Sequence, residues 1–440
     1  MEIIPNFIFL VILIFSIGFF VRNIKKIIKI IKLGKPIDRS DNPGIRFKNL
    51  VRVALGQSKM ISRPISGILH IVVYLGFIII NIELLEIVID GIFGTHRYFS
   101  KIFNPFLYNM LIATFEIFAF LVVISVIIFW CRRNILKIKR FLNKEMNGWP
   151  KLDADNILYF EIILMFLFLS MNATDLILQK NEYDGYNKAG LFPISSYLTP
   201  IFENFELSTI YILERIFWWL HITGIFFFLN YLYYSKHLHI LLAFPNTYYS
   251  NIDNKGKFKV LDSVKREVMM MIHPDKINDT ENQLTDKFGA SDALDLNWVQ
   301  LMNAYSCTEC GRCTSECPAN QTGKLLSPRK IMMDVRDRLE KISTNINQNK
   351  GEFINDNDQL LDNYISREEL WACTSCNACT EACPINIDPL SIIMDMRQYL
   401  IMEESSAHPD LNNMMNNIEN NGAPWPYNQQ DRELWTQQIN

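Results

Sequence analysis

Two closely similar stretches, CTECGRCTSECP at residues 307–318 and CTSCNACTEACP at residues 373–384, dominate the second half of this chain. Each reads Cys-x2-Cys-x2-Cys-x3-Cys-Pro, and together they contain eight of the nine cysteines. Runs with this spacing are typical of cysteine ligands to 4Fe-4S clusters. Two runs therefore predict two clusters, and hence a protein that carries electrons.

The spacing also predicts which cysteines share a cluster. Three thiolates separated by two residues lie on one tight turn, where each can bind a different iron of the same cluster. The fourth cysteine, which precedes proline, typically binds the other cluster. We therefore predict two crossed ligand sets, namely Cys307, Cys310, Cys313 and Cys383 for the first cluster, and Cys373, Cys376, Cys379 and Cys317 for the second.

Zinc sites and disulfide bonds are the alternative uses of these cysteines. Zinc sites usually take their four ligands as two pairs rather than as runs of four. Disulfide bonds need an oxidising compartment, and the topology predicted below argues against one. Iron-sulfur clusters are therefore the favoured interpretation of both runs.

The composition divides the 440 residues into an apolar first half and a polar second half. The first half is rich in Ile, Phe and Leu and contains only one cysteine, Cys131. The net charge of −3 and the lack of a basic cluster typical of nucleic-acid binding argue against a nucleic-acid partner. The sequence contains no Gly-x-Gly-x-x-Gly motif after a strand and no Walker loop, so no nicotinamide or flavin site is predicted.

Five apolar stretches are long enough to cross a bilayer as helices, which takes about 20 residues. They are Ile3–Val21, Pro64–Ile89, Pro105–Trp130, Asn156–Leu178 and Ile210–Ser235. We interpret the first as a retained helix rather than a signal peptide, because its apolar run is long and no basic residues precede it. The predicted fold is all-α, with a five-helix transmembrane haem b domain at residues 1–245, a linker at 246–297 and a helical ferredoxin domain at 298–440.

Basic residues flank the five stretches unevenly. They are dense after the first and third stretches and before the second, and sparse in the opposite loops around Arg97 and Lys188. Cytoplasmic loops carry the excess of Lys and Arg, so we expect a bacterial inner-membrane protein with its N-terminus outside. The cluster domain then lies in the cytoplasm, where thiols stay reduced and available for iron.

Four of the seven histidines, His70, His221, His237 and His239, lie in or at the ends of the second and fifth stretches. Histidine inside a membrane is usually functional, although an interhelical hydrogen bond is the plain alternative. If the fifth helix continues, His221 and His239 share a face about 27 Å apart along the axis, and His237 points away. Because His70 and His239 both lie near the cytoplasmic edge, we predict that they ligate a b-type haem.

Charged residues also occur within the apolar stretches, where they often mark proton or substrate paths. Glu83 and Glu86 lie one turn apart in the outer half of the second stretch, and Arg215 and His221 lie at the outer level of the fifth. We predict a quinone pocket near these four residues, with Glu83, Glu86 and Arg215 as candidate catalytic residues.

The cysteine runs belong to a longer internal repeat. Pro328–Leu339 follows the first run and Pro389–Leu400 follows the second, with Asp, Arg and Leu at matching offsets. Proline suits the first turn of a helix, so each unit is predicted to be a cysteine turn followed by a helix. The long spacer between the runs favours a helical ferredoxin domain over a compact two-cluster ferredoxin.

These motifs resemble those of the heterodisulfide-reductase-related membrane iron-sulfur oxidoreductases, in particular the electron-transfer-flavoprotein:menaquinone oxidoreductase type. The resemblance rests on Cys307–Lys324, Leu326–Pro328, Trp371–Cys383 and Asn417–Trp425. The first half resembles the gamma subunit of respiratory nitrate reductase, a five-helix haem b protein. That resemblance implies haem ligands at the positions of His70, His221 and His239.

Two departures from these families refine the expectation. Ile80 stands where the second resemblance implies another haem ligand, which favours one haem over two. Many relatives continue into a cysteine-rich domain with CCG motifs, which this sequence lacks. The resemblance therefore implies a separate CCG-domain subunit as partner, with electron-transfer flavoprotein as a further candidate.

The predicted function is that of a membrane-anchored subunit that passes electrons between a cytoplasmic donor and menaquinone through two 4Fe-4S clusters and haem b. An alternative is a quinol-oxidising anchor that feeds a heterodisulfide-reductase-like enzyme, since cluster potentials span roughly −700 to +450 mV and permit either direction. A different class, an iron-sulfur redox sensor, would leave the membrane half without a purpose.

Overall fold

The computed structural model describes residues 3–254, 256–258, 262–273 and 287–437. These residues form helices and connecting loops, and no β-strand occurs among them. Two isolated bridges, Lys35 to Asn297 and Leu361 to Ile365, are the β-type contacts within these ranges. The predicted all-α class is therefore confirmed for the described chain.

The first half of the chain folds mainly into long apolar helices. They and the shorter helices between them are α1 (Ile3–Ile31), α2 (Pro43–Leu50), α3 (Pro64–Phe93), α4 (Pro105–Asn134), α5 (Trp149–Lys180), α6 (Thr199–Phe202) and α7 (Leu207–Tyr231). In the described ranges, five helices are long and apolar enough to cross a membrane, and they contain α1, α3, α4, α5 and α7. The five predicted stretches are thus confirmed as long helices.

Local sequence signals set the start of α3, the end of α3 and the start of α4. Pro64 and Pro105 stand in the first turns of α3 and α4, where the missing N–H of proline costs no hydrogen bond. The side chain of Asn104 caps α4 by accepting the N–H of Leu107 at 2.8 Å. Gly94 ends α3 with φ 64°, in the left-handed conformation that glycine adopts without strain.

The last membrane helix ends before the segment that carries His239. α7 stops at Tyr231, and two short 3-10 turns follow on either side of Ser235, which is extended. The carboxylate of Asp153 accepts the Tyr231 hydroxyl at 2.7 Å and the N–H of Lys236 at 3.0 Å, which holds the chain out of a helical path. The helix therefore does not continue through His239, so the condition on which a shared helical face of His221 and His239 depended is not met.

The second half is built from short helices around one long one. They are α8 (His239–Tyr249), α9 (Asp262–Ile272), α10 (Trp298–Ser306), α11 (Arg312–Glu316), α12 (Pro318–Gln321), α13 (Pro328–Gln348), α14 (Leu360–Asn363), α15 (Arg367–Trp371), α16 (Ala378–Ala382), α17 (Pro389–Met402), α18 (Pro409–Asn421) and α19 (Leu434–Gln437). Helix α8 crosses residue 245, where the sequence suggested a domain boundary. Part of the predicted linker, residues 255, 259–261 and 274–286, lies outside the described residues.

The internal repeat appears as two helices of the same design. Ser327 caps α13, which starts with Pro328, and its hydroxyl accepts the N–H of Lys330 at 3.4 Å. Asp388 caps α17, which starts with Pro389, in the same way. Each cysteine turn therefore leads into a proline-started, side-chain-capped helix, as the repeat predicts.

The end of α1 packs into the hydrophobic core of the second half of the chain. Ile27 and Ile31 at the end of α1 pack into the same buried cluster as Leu296. The N–H of Lys35 donates to the carbonyl of Leu296 at 2.8 Å, and the N–H of Trp298 donates to the carbonyl of Lys35 at 3.2 Å. Each fully buried apolar side chain contributes about 1.5–3 kcal/mol, so this junction is a packed interface.

The cysteine runs lie at one end of the five-helix bundle, against the loop that precedes α3. We call this end the cluster side. The opposite end, which includes the α3–α4 loop and the start of α7, is called the distal side.

Candidate redox centres

The first cysteine run forms a tight loop that leads into α11. Glu309 and Gly311 both have left-handed backbone angles, with φ of 55° and 70°. A Cβ atom on Gly311 would come within 2.5 Å of the guanidinium of Arg329, so a larger residue there would require Arg329 to shift. The loop turns the first three cysteines of the run toward a common cavity.

That cavity also contains the predicted crossed ligand. Cys307, Cys310 and Cys313 line it together with Cys383 from the second run, around a partly open space of about 390 Å³. Cys383 reaches this position because α11 packs against α16. The four cysteines predicted to bind the first cluster thus surround one space, with Cys379 also on its wall.

The second predicted set gathers around Cys373. Burial is the largest cause that raises the pKa of the Cys373 thiol. The charges of Cys317 and Cys376 raise this pKa further, and the charge of Arg397 also acts on the thiol. Cys379 lies within electrostatic reach of Cys373 as well. Cys317 and Cys379 are buried, whereas Cys376 is exposed. The second set therefore extends to the protein surface at Cys376.

The thiols are strongly influenced by burial and by backbone amides. Burial is the largest of the causes that raise the pKa of Cys307 to about 12 and that of Cys383 to about 11. Metal binding must displace these protons, so cluster binding is coupled to proton release. The N–H of Ser375 donates to the sulfur of Cys373 at 3.4 Å, and that of Ile387 to the sulfur of Cys383 at 3.3 Å. Such bonds to ligand sulfurs tune cluster potentials.

The described residues hold no compact site for a single metal ion. Within residues 3–254, 256–258, 262–273 and 287–437, no three His, Cys, Asp or Glu side chains stand close enough to hold one ion. The first four cysteines instead line one shared space.

The cysteine loops rest directly on the loop that precedes α3. Arg312 donates to the carbonyl of Lys59 at 3.0 Å, and the ammonium of Lys59 donates to the carbonyl of Cys383 at 3.2 Å. Arg63 forms an ion pair with Glu316 at 2.8 Å. Since α3 begins immediately after Arg63, these contacts fix the cysteine cavity against the membrane helices.

The two histidines predicted to hold a haem lie next to each other on the cluster side. The ring centroids of His70 and His239 are 6.4 Å apart, with the ring planes at 44°. Nδ1 of His239 donates to the carbonyl of Lys236 at 3.1 Å, an arrangement that orients a ligating imidazole and leaves its other nitrogen free. Nδ1 of His70 is buried and has no hydrogen-bond partner in the part of the chain that is described.

His237 lies beside this pair rather than on the opposite side of a helix. Its ring centroid is 5.4 Å from that of His239, and its Nε2 lies 4.0 Å from a carboxylate oxygen of Glu161. The expectation that His237 points away from the other histidines depended on an unbroken helix. Because the helix breaks before Ser235, helical spacing does not determine the direction in which His237 points.

Lys236 connects the first cysteine loop to the histidine segment. Its ammonium forms an ion pair with Glu309, which is buried and also bonds Arg336 at 2.7 Å. The carbonyl of Lys236 accepts the hydrogen bond from His239. Glu309 was not predicted from the sequence, because it occupies a spacer position of the cysteine motif, where the pattern sets no residue type.

Two of the four residues predicted to form a quinone pocket line one cavity inside the bundle. Glu83 and His221 lie on its wall, together with Glu161 and His237, and the space measures about 790 Å³ including its open mouth. Ile80, the position where the resemblance implies another haem ligand, also lines it. The cavity is mostly apolar, with a few polar groups, as small-molecule sites commonly are.

The other two predicted pocket residues have partners elsewhere. Glu86 accepts the N–H of Phe99 at 2.7 Å and the hydroxyl of Tyr108 at 3.1 Å. Arg215 forms an ion pair with Glu214 and is not among the residues that line the cavity. The structure therefore brings Glu83 and His221 together and leaves Glu86 and Arg215 outside that wall.

Residues 303–387 match the family model of the 4Fe-4S dicluster domain, so the chain contains this domain. No solved structure gives a significant match to the chain.

Curated relatives agree with the motif-based resemblance. The chain is 26% identical over 460 aligned positions to the probable iron-sulfur-binding oxidoreductase FadF of Bacillus subtilis, covering 97% of this chain and 60% of the relative. It is 24% identical over 425 positions to EtfAB:quinone oxidoreductase of Syntrophomonas wolfei, covering 91% and 55%. One subunit of the ferredoxin/F420H2-dependent CoB-CoM heterodisulfide reductase of Methanosarcina acetivorans is 29% identical over 115 positions, covering 26% and 56%.

These relatives confirm the predicted resemblance to heterodisulfide-reductase-related iron-sulfur oxidoreductases. The chain spans little more than half the length of the first two relatives. The activity of the whole relatives is therefore carried to this chain only as a proposal.

Proposed function

We propose that this chain is the membrane-anchored electron-transfer subunit of a respiratory redox complex. It passes electrons between a cytoplasmic donor protein and menaquinone through two 4Fe-4S clusters and one haem b. The proposal rests on the 4Fe-4S dicluster domain, the five helices of membrane-spanning length, and a relative named for a quinone reaction.

The observation that carries the proposal is the adjacency of the cysteine cavity and the histidine pair. Arg312, which lies between Cys310 and Cys313, is a charged neighbour of His70. Lys236 pairs with Glu309 in the cysteine loop and bonds His239 through its carbonyl. Electrons that leave the first cluster therefore have a carrier site immediately next to it in the membrane half.

The residues fit the groups that the proposal requires. The cavity of about 390 Å³ among Cys307, Cys310, Cys313 and Cys383 suits one cluster, with Cys373, Cys376, Cys379 and Cys317 assigned to the other. Imidazoles bind metals at about 2 Å, and the 6.4 Å separation of the His70 and His239 rings leaves space for an iron between them. Haem supplies one-electron transfer, and the two histidines hold and orient it.

A single haem is preferred over two. His221 donates through Nδ1 to the carbonyl of Leu164 at 3.0 Å, so its other nitrogen remains available. Ile80, however, lines the same cavity and cannot bind iron. We therefore assign this cavity to the quinone, with Glu83 and His221 as the polar groups of its wall.

The arrangement in the cell follows from the uneven distribution of basic residues. We place the N-terminus outside and the cluster side in the cytoplasm of a bacterial inner membrane. Residues 1–245 are proposed as the membrane domain, 246–297 as the linker and 298–440 as the cluster domain. The donor is proposed to be a CCG-domain protein, as the motif resemblance implies, or electron-transfer flavoprotein, which the name of one relative includes.

The proposal is tested with the full chain purified anaerobically in detergent. We expect iron and sulfide for two 4Fe-4S clusters and one b-type haem per chain, and rapid reoxidation of the chemically reduced protein by menaquinone. A chain that holds zinc instead of iron, or whose reduced centres do not react with menaquinone, contradicts the proposal.

A second direction of electron flow is supported by the heterodisulfide reductase relative. In that case the chain oxidises a quinol and feeds a cytoplasmic reductase. Mixing the oxidised protein with menaquinol distinguishes the two directions, because fast haem reduction by menaquinol favours this alternative. Potentials of the haem and clusters below that of menaquinone favour the first direction.

A further inference from the structure

A buried polar network extends from the cavity toward the distal side of the bundle. Arg97, in the α3–α4 loop, donates through Nε to Asp175 at 2.6 Å and through a terminal nitrogen to Asn172 at 2.9 Å. Its other terminal nitrogen lies 4.0 Å from Oε1 of Glu83, and Asp175 lies 3.0 Å from Nε2 of His96. We call Glu83, Arg97, Asp175 and His96 the distal network.

Glu83 is the point where this network meets the cavity. The residue is 2% exposed and lines the cavity wall. Its second carboxyl oxygen, Oε2, is buried and has no hydrogen-bond partner among the residues described. An unpaired carboxyl oxygen is unfavourable in a buried site, so its retention inside the bundle points to a ligand that completes it.

We infer that Glu83 exchanges protons with a quinone ring bound in this cavity, and that those protons come from the distal side of the membrane. This inference rests on the proposed quinone reaction. Reduction of one quinone to quinol places two electrons and two protons on the ring, one proton on each carbonyl oxygen. The electrons arrive from the cluster side, and Glu83 supplies the protons one after the other, regaining each from the distal side.

The groups around Glu83 favour this route. Its charged neighbours are Arg97, Glu86, Glu116 and Asp175, so carboxyl groups outnumber the one guanidinium. Arginine keeps its proton, so Arg97 is a positioning residue that connects Glu83 to Asp175.

His96 is the outermost member of the distal network. Its side chain is 19% exposed, compared with 3% for Asp175 and 7% for Arg97. Imidazole side chains serve as proton shuttles. The network therefore runs from the buried cavity wall to a partly exposed imidazole at the distal surface.

The cavity has a second carboxyl group at its other end. Glu161 also lines the wall, and its contact with His237 at 4.0 Å leads toward the predicted haem rather than toward the distal surface. Glu83 is connected to three further polar groups that reach the distal side, so it is the better proton donor. Glu161 nevertheless offers a matched variant, because the two residues predict opposite sides for proton uptake.

The test uses the full chain in vesicles that contain menaquinone, with the cluster half facing outward and a pH dye trapped inside. An impermeant reductant is added outside, and protein-free vesicles correct for direct quinone reduction. We expect the vesicle interior to become alkaline by two protons per quinol. Glu83→Gln should slow both this signal and the quinone-dependent reoxidation roughly 100-fold, the usual contribution of a proton-transfer group, while haem and cluster spectra are retained.

Two further variants provide a control and a second test of the proton route. Glu182→Gln, an exposed distal residue paired with Lys188, should leave the rate unchanged. His96→Gln, which does not line the cavity, should slow interior alkalinisation severalfold and thereby tests the route even if Glu83→Gln fails to fold.

The possible failures are distinguishable. Alkalinisation outside the vesicles overturns the inference and leaves the proposed function intact. The same holds if Glu161→Gln abolishes turnover while Glu83→Gln and His96→Gln do not. A wild-type protein whose reduced centres do not react with menaquinone overturns the proposed function itself.

Discussion

Lys236 and Glu309 form a buried ion pair that ties the first cysteine loop to the segment carrying His239. Glu309 lies between Cys307 and Cys310, and its side chain is 2% exposed. The backbone carbonyl of Lys236 accepts the hydrogen bond from His239. One lysine therefore fixes the position of a proposed cluster relative to that of a proposed haem ligand.

Removing the Glu309 carboxylate should strongly weaken the contact between the first cysteine loop and the segment that carries His239. Glu309→Gln removes the carboxylate that Lys236 and Arg336 share and leaves them with the longer contacts to Asp153 at 4.0 Å and Asp337 at 3.5 Å. Breaking a buried pair costs up to about 3–5 kcal/mol. We expect the visible absorbance of the clusters to be lost at a markedly lower temperature. Glu182→Gln is the matched control, because its exposed partner Lys188 makes a surface pair worth at most about 1 kcal/mol.

The crossed ligand assignment predicts which cluster each fourth cysteine holds. Cys383→Ser should remove the cluster of the first run and leave that of the second, and Cys317→Ser should do the reverse. Iron content should fall by about half in each variant, with different electron paramagnetic resonance signals surviving. Cys131→Ser, outside both runs, should keep all of the iron. Loss of the signal of its own run in Cys383→Ser would show that the ligands are not crossed.

The haem assignment depends on His70 and His239. His70→Ala and His239→Ala should each abolish the reduced b-type absorbance, because each removes one of two axial ligands. His221→Ala should leave the haem content unchanged while slowing quinone turnover, since its ring lines the separate cavity.

His237 is the internal control for the haem assignment. Its ring is close to that of His239, but His70 and His239 are the pair that face each other in the proposed site. His237→Ala should therefore retain the haem. A variant of His237 that loses haem, with His239→Ala retaining it, would exchange the roles of the two residues.

The two repeats predict a pH-dependent stability. Burial raises the pKa of Asp334 to about 7 and that of Asp395 to about 6, from an ordinary value of 3.8. The folded state therefore binds more protons than the unfolded chain, so the stabilisation is complete below pH 3.8 and is lost as the pH rises through the folded pKa values. We expect the contribution of these two carboxyl groups to stability to fall by about 4 kcal/mol between pH 5 and pH 8.

This pH dependence is measured as the unfolding midpoint across that range. The double variant Asp334→Asn and Asp395→Asn lacks both carboxyl groups, so the difference in stability between the wild type and the variant isolates their contribution. A difference that shifts in favour of the wild type between pH 5 and pH 8 would contradict the sign of both shifts.

Periodicity and composition were sufficient to predict the helical architecture, but they did not predict the break in the chain after α7. The apolar run beyond Ile210 gives no sign that the helix stops, because the break depends on Asp153, more than 70 residues earlier in the chain, which accepts Tyr231 and Lys236. The approach of His239 to His70 was nevertheless anticipated, since that prediction used membrane depth as well as helical phase. The chain leaves the helical path because hydrogen bonds to the distant Asp153 compete with continuation of the helix, and a local pattern does not show such contacts.

The sequence identified only some of the residues that line the candidate quinone pocket. Charges within apolar stretches indicated Glu83, Glu86, Arg215 and His221, but hydropathy cannot tell which side chains find internal partners. Glu86 is held by Tyr108, whereas Glu83 retains an unpaired oxygen at the cavity wall. Arg97 appeared only as a loop cation, because its contact with Asp175 joins residues 78 positions apart.

The sequence by itself determined the helical class, the five long apolar helices, the two cysteine runs and their repeat, because ligand spacing, apolar length and helix-start residues are local properties of the chain. Only the tertiary structure decided that the chain breaks at Ser235, that Lys236 links Glu309 to His239, and that Glu83 rather than Glu86 faces the interior cavity. These relationships depend on which distant side chains are brought into contact when the helices pack, and no local pattern contains that information.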